Sequence, residues 1–427
     1  MKEGERMGRA AWTLLLLVPL LAEAQGASDG GVKLPSAPFQ AWVKVQSAYV
    51  RLEPSLNAPE VGLVMRDDAL EVTGCVPSCD APSGWALLGE DGAIRLSNLT
   101  LTPPARATPP PGVEMPYVYG TVKKAGAAVR VEPRPNARVV EREQPPHVLA
   151  FHNEPELLDG GWLERPAGGY VSTSDVRIDR PSSLEGEHFP SLPLAFLIRD
   201  TQQVAASDAG VPDAGEPFTA HKYERFPVQG LDKAGRVLVP GGTLPRGNVR
   251  LVLPRERPAG VKPGERWVHV ELSEQVLTAY EGDTPVLATL VSTGKPSTPT
   301  REGRFRVWYK VVHDTMHGPE SNPYVVEEVP HTLFFHRGQA LHGAFWHDSF
   351  GRAVTHGCVN LSVKDATWLF AWAPPALPQG FHAYWPEPAR RPSLWVLVER
   401  RPVSRIDPDA CKTCAPRSSP AQVLPPR

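Results

Sequence analysis

A twelve-residue segment occurs twice in this chain. "VRLEPSLNAPEV" (Val50 to Val61) and "VRVEPRPNARVV" (Val129 to Val140) agree at seven of twelve positions. Each copy follows a strand-like stretch, "AWVKVQSAYV" and "YVYGTVKKAGAAV", and precedes a Gly-Trp pair, Gly84-Trp85 and Gly161-Trp162. A Gly-led alternating run closes each copy, "GAIRLSNL" and "GGYVSTSDV". Short alternating runs between turn residues restrict this half of the chain to small all-β units, because every second side chain then enters a core. The 48 prolines and 36 glycines in 427 residues extend the restriction, since both residues interrupt long helices.

The spacing places one unit at 38–103 and a second at 117–180, joined at 104–116 by a Pro-rich, semi-rigid spacer. The repeated arm and its Gly-Trp strand resemble bacterial SH3-like domains. That resemblance implies small β-barrels in which the repeat Arg and Trp either pack internally or meet wall glycan or a protein. The repeats read as independent of the chemistry further along. Residues 181–263 carry a weaker pattern: "PLAFLIRD", "PFTAHKYERFPVQ", "AGRVLVPGGTL" and "NVRLVLP" read as strands around a flexible "VAASDAGVPDAGEP". They form a connecting β region or a third module.

The texture changes at Glu265. "RWVHVELSEQVLTAYEGDTPVLATLVSTG" alternates, turns at "SEQ", alternates again and turns at "EGD", which predicts three antiparallel strands in sequence order. "SVKDATWLFAWA" predicts a short helix capped by Ser362 and ended by Pro374-Pro375, with Trp368 and Leu369 on its apolar face. "SLWVLVE" is a last strand, which closes a mainly β unit at 264–399 before a tail at 400–427 of disordered composition.

Lys2, Arg6 and Arg9 precede a short apolar run that ends in Ala22-Glu23-Ala24, the pattern of a secretory signal peptide over residues 1–24. The expected location is therefore the periplasm or cell envelope, with no membrane span after cleavage. A formal net charge of -2 argues against a nucleic-acid surface. Export makes the five cysteines interpretable. Cys75 and Cys79, and Cys411 and Cys414, are close pairs expected to close as local disulfides, which leaves Cys358 as an unpaired thiol.

Cys358 lies in "THGC", with His356 two residues before it and His342-Gly343 sixteen residues upstream. A thiol becomes a competent nucleophile when a neighbouring base takes its proton. A Gly-containing turn lets backbone N–H groups approach a developing oxyanion.

The ordered set His342-Gly343, Thr355-His356-Gly357-Cys358-Val359-Asn360 resembles the signature of the L,D-transpeptidase (YkuD-type) family. "VSTGKPSTPTREGRFRV" is similar to that family's upstream "S-t-G…T-P-t-G-x-F" segment, and "NPYVVEEVPHTLFFHRGQALHGAFW" to its pocket stretch. The resemblance implies a curved β-sheet catalytic domain with one short helix. It implies Cys358 as nucleophile, His342 as base and the Gly343 carbonyl as the group orienting that base. Backbone groups of His356, Gly357 and Cys358 would form the oxyanion site, and Tyr324, Thr355 and Asn360 would meet substrate. The substrate implied is a peptidoglycan stem tetrapeptide that loses D-alanine on forming a thioester. An amine acceptor then completes transpeptidation; water would make the enzyme a carboxypeptidase, and a protein lysine would make it an anchoring enzyme. No cofactor or metal is called for: His313 and His317 are four apart, but "HDTMH" lacks the Glu of a zinc-protease helix. His382 is a further conceivable partner for the thiol. A non-catalytic wall-binding scaffold would be expected to have lost the Cys or the His, and both are present.

Overall fold

The computed structural model describes residues 36–81, 83–105, 114–123, 127–202, 219–318, 323–387 and 390–401. The signal segment, residues 106–113 of the spacer, Cys411, Cys414 and the tail from residue 402 lie outside the described residues. The protein is mainly β. Among the described residues no helix is long and apolar enough to cross a membrane.

The two repeats fold alike. Phe39–Val43 pairs antiparallel with Ala69–Val72 and Leu99–Thr100; Val118–Val122 pairs in the same way with Val148–Phe151 and Val176–Ile178. The hairpin carrying the repeated segment shifts register at the same place in each copy, between Val50 and Arg51 and between Val129 and Arg130. The reason for the repeated Arg is visible at that shift. Arg51 Nη1 donates to Ala58 O and Arg130 Nη1 to Ala137 O, each at 2.8 Å, so the guanidinium ties the loop to the bulge. Cys75 and Cys79 form a disulfide.

The repeats are not independent of the rest of the chain. Gly62 and Leu63 of the first pair antiparallel with Tyr384 and Ala383, whose neighbours are Lys310 and Val311. Val148 of the second pairs parallel with Val326 on the long strand Val325–His336. One hydrogen-bonded sheet therefore runs from the second repeat through the unit at 264–399 into the first. The second joint is reinforced by side chains. Tyr119 stacks on Phe345 with ring centroids 3.8 Å apart, and its hydroxyl donates to Glu328 O at 2.8 Å. Buried Arg165 donates Nη1 to Glu141 and Nη2 to Glu327, and it also lies 3.0 Å from Glu143. Sequence reasoning missed both joints because the pairing residues are far apart along the chain.

The expected meander forms as Arg266–Glu271, Val276–Glu281 and Thr284–Leu290, each antiparallel to the next. Trp395–Glu399 returns parallel to the first of these and antiparallel to Gly303–Arg306. A second curved layer follows: Tyr309–His317, Val325–His336, Gln339–Gly343 and Val359–Leu361. Val268, Val270, Leu277, Leu333, Leu341 and Leu361 fill the core with the helix Val363–Trp372.

Ser362 Oγ accepts from Asp365 N–H at 3.1 Å, the predicted cap. Trp368 is only half-buried, and Ala366, Leu369 and Phe370 carry the packed face instead. At the other end Lys310, almost wholly buried, donates Nζ to the carbonyls of Phe370, Ala373 and Pro375 at 2.7, 2.9 and 3.1 Å. The first two are carbonyls that the helix end leaves without intrahelical partners.

The region 181–263 is β-structured in its described residues and joins the unit at 264–399. Leu194–Leu197 pairs with Arg225–Pro227 and Val249–Val252, while Glu187 and His188 extend the meander sheet at Ala288 and Leu287. It also anchors the segment after His342. Asp348 accepts from Ser182, from Lys222 Nζ at 2.5 Å and from the Tyr223 hydroxyl at 2.6 Å.

Candidate active site

Gln339–Gly343 and Val359–Leu361 lie side by side and parallel, with His342 opposite Asn360. Cys358 immediately precedes the second strand. Alternate residues of a strand share a face, so Cys358 and Asn360 project to the side on which His342 stands. All three line a groove of about 600 Å3, together with Tyr324, Trp346, His347, Thr355 and His356.

The turn before Cys358 is held by its own side chains and by the upstream motif. Thr355 Oγ1 accepts from Gly357 N–H at 3.1 Å and donates to Cys358 O at 2.6 Å. Thr300 Oγ1 accepts from Gly294 N–H and donates to Gly357 O, each at 2.9 Å. The "S-T-G…T-P-T" segment is thus a brace for the thiol turn. Gly357 has φ 122°, a backbone region that strains any L side chain, and a Cβ there would also have to displace the Gln339 amide, 2.7 Å away. At Gly294 a Cβ would lie 2.1 Å from Thr298 O.

The Gly357 N–H, expected at an oxyanion, is engaged here by Thr355, and the hydroxyl of Thr355, a residue expected to meet substrate, donates and accepts inside the turn while Thr355 lines the groove. A hydroxyl three residues before the Cys carbonyl is close enough to close that ring.

His342 is buried, and its Nδ1 lies 3.0 Å from Gly343 O. The carbonyl can only accept, so Nδ1 carries the hydrogen and Nε2 presents a lone pair. Burial pulls His342 down to about 4, against the Gly343 carbonyl, so the ring is neutral at ordinary pH. Trp346 stacks beside it with centroids 5.8 Å apart. The Cys358 thiol donates to Gly338 O, 3.7 Å away, and burial pushes it up to about 11 against the Ala340 N–H. Both shifts favour the neutral forms over a separated thiolate–imidazolium pair. The resting pair is thiol and neutral imidazole.

The other candidates separate clearly. The Tyr324 ring lies 5.2 Å from that of His356, and burial followed by the nearby Cys358 raises its phenol. His347 contacts the Asn360 amide at 2.9 Å and accepts from Ser349 N–H at 3.2 Å. His313 and His317 lie on one strand, where residues four apart sit roughly 13 Å from each other, too far to share an ion. His313 instead pairs with Glu328, and His382 Nε2 lies 3.0 Å from His313 O in a different cleft. His331 is buried against Thr367, with its Nδ1 3.1 Å from the hydroxyl.

Residues 265–387 match the family model described as the L,D-transpeptidase catalytic domain, YkuD. Solved structures similar to this chain include an L,D-transpeptidase of Enterococcus faecium, 25% identical, covering 32% of this chain and 50% of that one at a TM-score of 0.26. The catalytic domain of an E. faecium L,D-transpeptidase acylated by ertapenem is 25% identical over 32% of this chain and 97% of that one, TM-score 0.25. An L,D-transpeptidase from Mycobacterium smegmatis is 17% identical over 66% of this chain and 99% of that one, TM-score 0.26. The chain thus spans about half the length of the first E. faecium protein. No curated protein matches the sequence.

Proposed function

With residues 265–387 a YkuD-type L,D-transpeptidase catalytic domain, we propose that this protein is an exported cell-wall acyltransferase that works through Cys358. The observation that carries the proposal is the His342 ring. Its Nδ1 is held by Gly343 O, which leaves Nε2 as the acceptor, and His342 lines one groove with Cys358.

The reaction follows from that arrangement. As Cys358 sulfur bonds to the carbonyl carbon between the third residue and the terminal D-alanine of a stem tetrapeptide, its proton passes to His342 Nε2. Transfer in concert with attack avoids the unfavourable free ion pair. The carbonyl oxygen becomes an oxyanion, which this reading places against the peptide N–H of Cys358 and of His356. The C–N bond breaks, His342 returns the proton to the departing D-alanine amine, and a thioester remains. An incoming amine gives up a proton to His342, attacks the thioester and restores the thiol. Gly343 O stabilises the transient imidazolium in place of a carboxylate. The basic and apolar start of the chain supports export, and the SH3-like repeats support placement at the wall.

Intact-mass measurement after incubation with a disaccharide tetrapeptide tests this. The expected product is the protein plus the substrate less D-alanine, absent in Cys358→Ala. An unmodified wild-type protein that has a reactive Cys358 would overturn the reading.

A further inference from the structure

The groove beside Cys358 has a wall that the catalytic domain does not supply. Thr121, Val148 and Arg177 of the second repeat line it. They do so in register. Arg177 pairs with Thr121, Thr121 with Val148, Val148 with Val326, and Val326 with Met316. One row of directly opposed residues therefore crosses five strands and two structural units, and every member of it faces the groove.

Arg177 ends the row and is aimed. Its Nη2 donates to Asp179 Oδ1 at 3.0 Å and to Thr121 Oγ1 at 3.3 Å, and Thr121 Oγ1 donates to Asp179 Oδ2 at 2.7 Å. Asp179 is buried, while the Arg177 side chain remains 64% exposed. A guanidinium has five N–H donors, and these two contacts use one nitrogen. The remaining donors form an open edge suited to a planar carboxylate. Among the described residues that line the groove there is no Asp or Glu, and Arg177 is the one Arg or Lys.

We infer that Arg177 is a specificity-determining residue that binds a carboxylate of an acidic peptide substrate laid across this row, so that the second repeat completes the substrate site. The inference rests on the peptide-transfer reading above. Its dimensions agree with that reading. Three inter-strand steps from Val326 to Arg177 cover about 14 Å, and four extended residues span up to about 14 Å. Val326 lies two residues from Tyr324, which shares the groove with Cys358 and feels its charge. The carboxylate held is thus one remote from the scissile amide.

The test uses the full chain with Cys358→Ala, so that binding is read without turnover. Two probes are titrated by calorimetry: an acidic stem tetrapeptide, and its analogue with the internal carboxylates amidated. Loss of a charged hydrogen bond should weaken the acidic peptide about ten-fold or more in Arg177→Ala, with Arg177→Lys in between. The amidated analogue should bind the Arg177-containing protein weakly and be indifferent to Arg177→Ala. Equal affinity for both probes, an equal loss for both in Arg177→Ala, or no binding by either would overturn the inference. Wild-type Cys358 is assayed in parallel for acylation by the acidic peptide. If Arg177-dependent binding is present but acylation is not, the carboxylate site stands and the transfer reading fails. Acylation with no Arg177 dependence is the reverse.

Discussion

His347 and Asn360 meet at 2.9 Å, and the hydrogen on that contact is decided two residues away. Ser349 N–H donates to His347 Nδ1 at 3.2 Å, so Nδ1 is an acceptor. Burial pulls His347 down to about 4, so the ring is neutral and its one hydrogen sits on Nε2. Asn360 must then offer its carbonyl oxygen to His347, which turns the amide NH2 the other way. As placed, Asn360 Nδ2 faces His347 Nε2 and Oδ1 is buried without a partner; a donating Nε2 requires the amide turned over, which puts the NH2 at that unpartnered position on a residue that lines the groove. A donor held in this way suits a substrate carbonyl.

Asn360→Asp keeps the size and removes the donor. Acylation of Cys358 by tetrapeptide should fall at least about ten-fold at pH 7, the effect of one lost hydrogen bond plus a buried charge. Stopped-flow or quenched mass measurements read this. Wild-type rates in a folded Asn360→Asp protein would show that the groove has no use for the donor.

His342→Ala should lower the rate of thioester formation by about 10²–10⁴-fold, the range of a general base. His356→Ala should be milder. Its ring lies against Tyr324, and its peptide N–H survives the change. Comparable losses in both variants would reassign the base.

The resting thiol and imidazole predict an asymmetric pH response. The proton acceptor is lost only when His342 becomes charged, so kcat/KM should fall as pH drops through about 4. Iodoacetamide alkylation of Cys358 should keep rising with pH toward about 11, because burial raises the thiol and favours its neutral form. An alkylation plateau below pH 7 would indicate a preformed ion pair instead.

Thr355→Ser should retain activity, whereas Thr355→Val should lose most of it. Valine leaves Gly357 N–H and Cys358 O without the hydroxyl that joins them, a cost of about 1–3 kcal/mol per unsatisfied group. Amide exchange at Gly357 should accelerate in Thr355→Val and remain slow in Thr355→Ser.

Arg165→Met removes the cation that Glu141, Glu143 and Glu327 share at the joint between the second repeat and the long strand. Glu327 is left largely buried with only the Ala150 N–H, while Glu143 keeps His147; the loss of the shared cation should cost roughly 3–5 kcal/mol. A lower urea midpoint and faster proteolysis between residues 117 and 180 are expected. An unchanged midpoint would mean that the Tyr119–Phe345 stack and the Val148–Val326 pairing hold the joint alone.

Much of this protein is legible from short stretches of its sequence. The β character, the meander after Glu265, the Ser362-capped helix and the ordered set from His342 to Asn360 all follow from patterns within a few residues. Alternation, capping and a glycine at positive φ are local properties of the backbone. The two repeats were recognisable as folding alike for the same reason.

Tertiary structure alone decided which surfaces meet. Val148 finds Val326 and Gly62 finds Tyr384 through ladders between distant segments, and no periodicity encodes a partner at that range. The same cause hid the roles of Arg177, Trp346 and Asp348, which read along the chain as ordinary strand or loop residues. It also redirected the Gly357 N–H and the Thr355 hydroxyl. Which donor a turn keeps for itself depends on the rotamer that packing against the "S-T-G…T-P-T" brace imposes, and that brace arrives from more than fifty residues upstream.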